Sequence, residues 1–329
     1  MQPWTVEITR GALTESSHLG HGAVVDAQGQ PHLIFGDSTR NTFPRSAMKW
    51  IQGLELVMSG AADAYAMTDA ELALACASHN GEPEHVSAVT AVLKRLGLDA
   101  DDLECGISLP FTDAVRLKLS YERQTATQLH HCCSGKHVGM LAVCQHLGFP
   151  IAGYTEYDHP LQVRIRNHIS DIFSVDAHSL PFEADGCSVP TYAMPLDLMA
   201  HGFARLAAEH CTGPMNQAAK RLRLAQASAP FMVAGTDRLD TALLEAGQGR
   251  LQVKMGAEGV YCGALADREL GFALKCEDGS LRGQEALVIA LLDAIGEHEI
   301  LARLPDKFRN LRITTARGAV VGEISVRRD

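Results

Sequence analysis

The chain has 329 residues, 46% of them hydrophobic and 21% charged, a balance that excludes disorder and supplies a core large enough for two subdomains. Lys and Arg number 29 against 39 Asp and Glu, so the formal charge of −10 disfavours nucleic acid or an anionic membrane as main partner and favours a small molecule. There is no apolar run of about 18 residues, the length a membrane-crossing helix needs. The N-terminal MQPWTVEITR lacks a basic stretch followed by an apolar one, and nine scattered cysteines argue for reduced thiols rather than a disulfide framework; a cytoplasmic location is the expectation.

Residues 4–9 alternate as a strand does, and Ala23–Val25 and Leu33–Phe35, separated by Asp26, Gly29 and Pro31, read as a hairpin. A polar loop from Ser38 to Thr42 leads into a helix opened by Pro44, whose apolar stripe is Ala47, Trp50, Ile51, Leu54 and Met58. Thr68 with Glu71 forms a capping-box pattern, and that helix ends at Ser78, His79, Asn80 and Gly81. Val86, Val89, Leu93 and Leu96 mark the next helix, closed by Gly97; further helical patterns cover 136–147, 160–171, 196–209, 215–226 and 237–246. Strands are expected at 250–255, 259–265, 270–276 and 319–326, with a helix at 284–296. Strands at both ends and helices between them predict an α/β protein: a sheet domain of residues 1–42 and 235–329, and an inserted helical domain, 43–234, with the active site at their junction.

Two constellations carry chemistry. The first begins at Ser46, which precedes Lys49 by three positions and so shares a helix face with it. A serine hydroxyl becomes a nucleophile when a neighbouring base takes its proton, and a lysine serves as that base only when its amine is neutral, which burial favours. Ser-x-x-Lys also occurs on ordinary solvated helices. Here, however, it is followed by Ser78-x-Asn80 at a helix exit and Lys254-x-Gly256 on a strand, the order of the S-x-x-K, S-D-N and K-T-G elements of penicillin-binding proteins and serine β-lactamases. The second constellation is HHCCSGKH at 130–137 with the turn Asp185, Gly186, Cys187. A Cys-x-x-Lys entering a helix, with a distant Cys, offers thiolate metal ligands, although a free Cys is more often a small buried hydrophobe and lysine is an unusual ligand.

The blocks NTFPRSAMKW (41–50), ASHNGE (77–82), CSGKH (133–137), HP (159–160), DGCSVP (185–190), VAGTDRLDT (233–241) and KMGAEGVY (254–261) together resemble the rhizobial-type, or class 3, L-asparaginases, also called the asparaginase II family. The resemblance implies a β-lactamase/glutaminase-like fold and hydrolysis of L-asparagine to L-aspartate and ammonia. It implies two Ser/Lys pairs, Ser46 with Lys49 and Ser78 with Lys254, with Ser46 the expected nucleophile of an acyl-enzyme. It further implies a zinc ion on Cys133, Lys136 and Cys187; Arg45, Asn80 and Asp185 as substrate-binding residues; and a homodimer. Where the family commonly reads NNCSGKH, this chain has His131 and Cys132 in place of the two asparagines. The rival readings are a β-lactamase-like hydrolase or glutaminase acting on another amide, and an amino-acid-binding or zinc-storage protein on an inactive hydrolase scaffold.

Overall fold

Along Trp4–Arg10 (β1), buried Trp4, Val6 and Ile8 alternate with more exposed residues, the period of a strand with one face on a core. In the computed structural model, which describes residues 1–328, this strand joins β2 (Leu13–Asp26), β3 (Pro31–Phe35), β4 (Leu251–Gly256), β5 (Val260–Leu265), β6 (Leu270–Cys276), β7 (Arg312–Thr314) and β8 (Val320–Arg327). They form one sheet in the order β7–β8–β1–β2–β6–β5–β4, with β3 also on β2 and every neighbour antiparallel. Both ends of the chain therefore build the sheet, as the sequence predicts. The first ten residues of β2 gave no strand signal, because Ser16, Ser17, Gly20 and Gly22 lack β propensity. The segment is extended because β1 and β6 pair with it.

The two-residue period assigns one helix to each face. Gly20 and Cys276 are register partners, and a Cβ on Gly20 would strike Leu287 while Cys276 Sγ lies against Gly283, so helix Leu281–Ala294 covers that face. Gly271, of opposite parity on β6, is packed so tightly on helix Leu196–Ala207 that an added Cβ would lie 2.0 Å from the Ala200 carbonyl. This helix explains why Ala193–Ala208 groups with the sheet: the sheet unit is Met1–Ala47, Ala193–Ala208 and Glu245 onward, and Met48–Tyr192 with Glu209–Leu244 forms a helical unit. The division thus runs along different residues from those expected at 42/43 and 234/235.

In the helical unit the capping box of Thr68 and Glu71 starts helix Asp69–Ala75. Helix Ser134–Leu147 packs on it through two glycines. A Cβ on Gly135 would meet the Leu74 carbonyl at 2.3 Å, and one on Gly139 would meet Ala75 Cβ at 3.1 Å. The expected continuous helix at Ser46 is broken instead into a 3₁₀ turn, Arg45–Met48, and short helices Lys49–Gln52 and Leu54–Met58. Arg45 has φ 51°, a left-handed conformation that Pro44 and helical periodicity do not foretell and that costs a non-glycine residue energy. Among the described residues no helix is long and apolar enough to cross a membrane.

Candidate active site

The sheet unit carries Arg45, Ser46 and Lys254. Ser46 is half-buried in the 3₁₀ turn, and buried Lys254, on β4, donates from Nζ to the Met255 carbonyl at 3.0 Å. Two residues on, Gly256 lies so close to the Ser46 turn that an added Cβ would be 2.3 Å from the Pro44 carbonyl and 3.4 Å from the Ala47 nitrogen. Lys-x-Gly therefore needs its glycine for backbone approach.

The helical unit carries the other Ser/Lys residues. Lys49 is fully buried, and its Nζ donates to Ser78 Oγ at 2.8 Å, to Cys133 Sγ at 3.1 Å and to the Ala77 carbonyl. Three polar partners thus surround the one amine. The helix-face reading paired Lys49 with Ser46, yet the hydroxyl it meets is that of Ser78. Ser78 is held by backbone: its N–H donates to Val233 O at 2.9 Å, His79 N–H to Cys132 O at 3.1 Å and Asn80 N–H to Ala234 O at 2.9 Å.

Asn80 was expected to face substrate, but its side chain is engaged within the protein. Nδ2 donates to Glu82 Oε1 at 2.8 Å and Thr236 O at 2.9 Å, while Oδ1 accepts from Arg238 Nη1 at 2.9 Å. The same Nη1 donates to the Ser78 carbonyl at 3.3 Å, and Phe111 covers the guanidinium at 3.9 Å. Arg238 escaped the sequence reading; its only signal was membership of the block VAGTDRLDT. Two imidazoles were also missed. His79 and His85 are fully buried and stack with centroids 4.9 Å apart.

Of the three expected metal ligands, Lys136 and Cys187 are in direct contact, with Lys136 Nζ donating to Cys187 Sγ at 2.9 Å, and Cys133 acts electrostatically on both. A tight turn, with Ser188 N–H on Asp185 O at 2.8 Å and Asp185 N–H on Val189 O at 2.9 Å, presents Cys187 inward. Cys132 pushes the Cys133 thiol up, but hydrogen bonding with Cys187 and the charge of Lys49 outweigh this and burial, and the net shift is downward. Burial opposes charge on Lys136, yet the Cys187 and Cys133 sulfurs, with Asp185, hold its pKa above the usual lysine value. His137 is driven down to about 4 by burial, against the pull of Cys187. Two buried sulfurs and an amine are a donor set that fits a thiophilic dication, which would favour loss of the thiol and ammonium protons. His131 Nδ1 accepts the Cys133 N–H at 3.0 Å, and Cys132 Sγ lies 3.7 Å from Cys133 Sγ; these two fall within metal-ligand reach of Cys133. A second such group, His18, Cys276 and Asp278, had no sequence signal. Asp278 there accepts from His18, Cys276 and the Ser280 N–H, which ties a turn.

A buried lysine on a serine hydroxyl, beside a thiol–amine cluster in an α/β protein, is the equipment of a hydrolytic enzyme. The chain matches the family L-asparaginase II over residues 6–326 and belongs to it; it is an amidohydrolase. No curated protein matches it.

Proposed function

We propose that the protein hydrolyses L-asparagine to L-aspartate and ammonia through a serine acyl-enzyme. The observation that carries this reading is the 2.8 Å contact of buried Lys49 with Ser78. Family membership supplies the substrate class. Ser46, three residues before Lys49 in the chain, attacks the side-chain amide carbon, and the Lys49–Ser78 pair accepts its proton and returns one to the departing ammonia. Lys254 serves as the second amine. Water then releases aspartate from the ester.

Cys133, Lys136 and Cys187 hold zinc in this reading, and the bound ion supplies positive charge for the substrate's α-carboxylate and a Lewis-acid site for its amine. Asp185, which already acts electrostatically on Lys136, and Arg45 orient the same groups. Asn80, by contrast, positions Ser78. An antiparallel sheet built from both termini, with a helical insertion, supports a β-lactamase/glutaminase-like arrangement. A cytoplasmic homodimer completes the proposal.

The test is ammonia release from asparagine, glutamine and simple amides, with Ser46→Ala and Ser78→Ala as controls. Turnover of asparagine above glutamine, abolished by either change, is the expected result. A penicillin-type substrate hydrolysed faster than any amide would overturn it. Acyl-enzyme trapped by acid quench and mapped by mass spectrometry should carry the aspartyl group on Ser46; an adduct on Ser78 would exchange the two serine roles.

A further inference from the structure

The turn before helix Ser134–Leu147 gathers three metal-type donors, two of which the reaction above does not use. His131, Cys132 and Cys133 follow the 3₁₀ turn Gln128–His130, and one donor atom from each lies within 4.8 Å of the other two. Cys132 Sγ is 3.7 Å from Cys133 Sγ. Backbone bonds fix the turn: His131 O accepts from Ser134 N–H at 2.9 Å, Cys132 O from His79 N–H at 3.1 Å and Cys133 O from His137 N–H at 3.1 Å. His131 and Cys133 are buried, while half-buried Cys132 leaves the group open on one side.

The sulfur separation is that of two thiolates on one ion. At about 2.3 Å from each sulfur, a metal would subtend an angle of about 107° between them, so the two side chains already stand at the right span. Cys133 Sγ also accepts from Lys49 Nζ at 3.1 Å, and a thiolate keeps further lone pairs for the ion. The third donor is His131, whose Nδ1 lone pair accepts the Cys133 N–H at 3.0 Å. Ligation there exchanges that hydrogen bond for a bond to the metal.

The donor set selects the metal. Two thiolates and an imidazole, with no carboxylate in the group, favour copper(I) or zinc over hard cations. A closed zinc site takes four ligands, whereas copper(I) is satisfied by three. We propose that His131, Cys132 and Cys133 form a soft-metal site for one copper(I) ion, a donor set that shares only Cys133 with the cluster of Cys133, Lys136 and Cys187. Binding releases the two thiol protons to solvent and changes no oxidation state. The site depends on neither the asparaginase nor the zinc reading.

The test is anaerobic titration of the reduced, full-length protein with copper(I) against a chromophoric copper(I) chelator. One ion per chain should bind, with a thiolate-to-copper absorption band, and X-ray absorption should show two sulfurs and one nitrogen around it. Cys132→Ser, its fold checked by circular dichroism, should weaken binding by more than about 100-fold, beyond the loss from removing a group behind a ligand, and His131→Asn by at least about 10-fold. Cys187→Ala, which leaves all three donors in place, should bind copper(I) like the wild type, and equimolar zinc should not displace the ion. A wild type that takes no copper(I) from the chelator would overturn the proposal, as would Cys132→Ser or His131→Asn binding like the wild type. Loss of copper(I) in Cys187→Ala would overturn it too, by assigning the ion to the other donor set.

Discussion

Lys49 Nζ meets Ser78 Oγ at 2.8 Å across 29 residues of chain, while the same amine touches Cys133 Sγ at 3.1 Å. One buried amine thus joins Ser78 to Cys133, the first cysteine of the thiol–amine cluster. Replacing Lys49 with Met keeps its length and removes its proton chemistry. We expect Lys49→Met and Ser78→Ala each to lower kcat by about 10²- to 10⁴-fold, the range for losing a general base, with circular dichroism unchanged. Either variant keeping more than about a tenth of wild-type turnover would remove that residue from the proton path.

Cys133→Ala and Cys187→Ala test the other half of the cluster. About one zinc per chain is expected in metal-replete protein, and neither variant should retain it. Because the ion is read as a holder of substrate, KM should rise more than kcat falls. Elemental analysis finding no zinc in the wild type would end the metal assignment. Equal losses in kcat and kcat/KM would move the ion to the transition state.

Much of this arrangement was legible because it is periodic or local. The alternation of Trp4, Val6 and Ile8, the capping box of Thr68 and Glu71, and the C-terminal strands all follow from rules that read a few residues at a time. The Lys49–Ser78 contact was not legible, since helix-face spacing can pair Lys49 only with its own segment. The partners of Asn80 were illegible for a related reason. A polar side chain at a helix exit looks available until Glu82, Thr236 and Arg238 are seen to occupy it. The thiol–amine cluster came from the family resemblance, because burial of single cysteines is the commoner outcome.

Gly256 provides a test on the sheet side. A Cβ there would sit 2.3 Å from the Pro44 carbonyl, backbone against backbone, so the turn bearing Ser46 must shift. Gly256→Ala should destabilise the protein by about 1–3 kcal/mol, the usual range for overpacking, and lower kcat. Gly213→Ala is the control: nothing lies within 4 Å of its would-be Cβ. Urea denaturation that fails to separate the two variants would show that the turn yields freely.

Acid should loosen the Ser78 segment through His79 and His85. Burial, then the charges of His85 and Lys49, hold His79 well below the ordinary imidazole value of 6.5, and burial lowers His85 despite its bond to the Phe231 carbonyl. Both rings accept at Nδ1, His79 from Gly81 N–H at 3.1 Å and His85 from Glu82 N–H at 3.2 Å. Protonation would therefore break a backbone bond at each ring and place two positive charges in a stack with 4.9 Å between centroids. Above pH about 7 the imidazoles are neutral in folded and unfolded chains alike, and stability is insensitive to pH on their account. As pH falls through about 6.5 the unfolded chain takes up protons that the fold refuses, so stability declines. The urea midpoint should drop between pH 7.5 and 5.5, a window above the carboxylate range, and His85→Gln should flatten the slope. A wild-type midpoint constant across that window would mean that the stacked pair admits protons without cost.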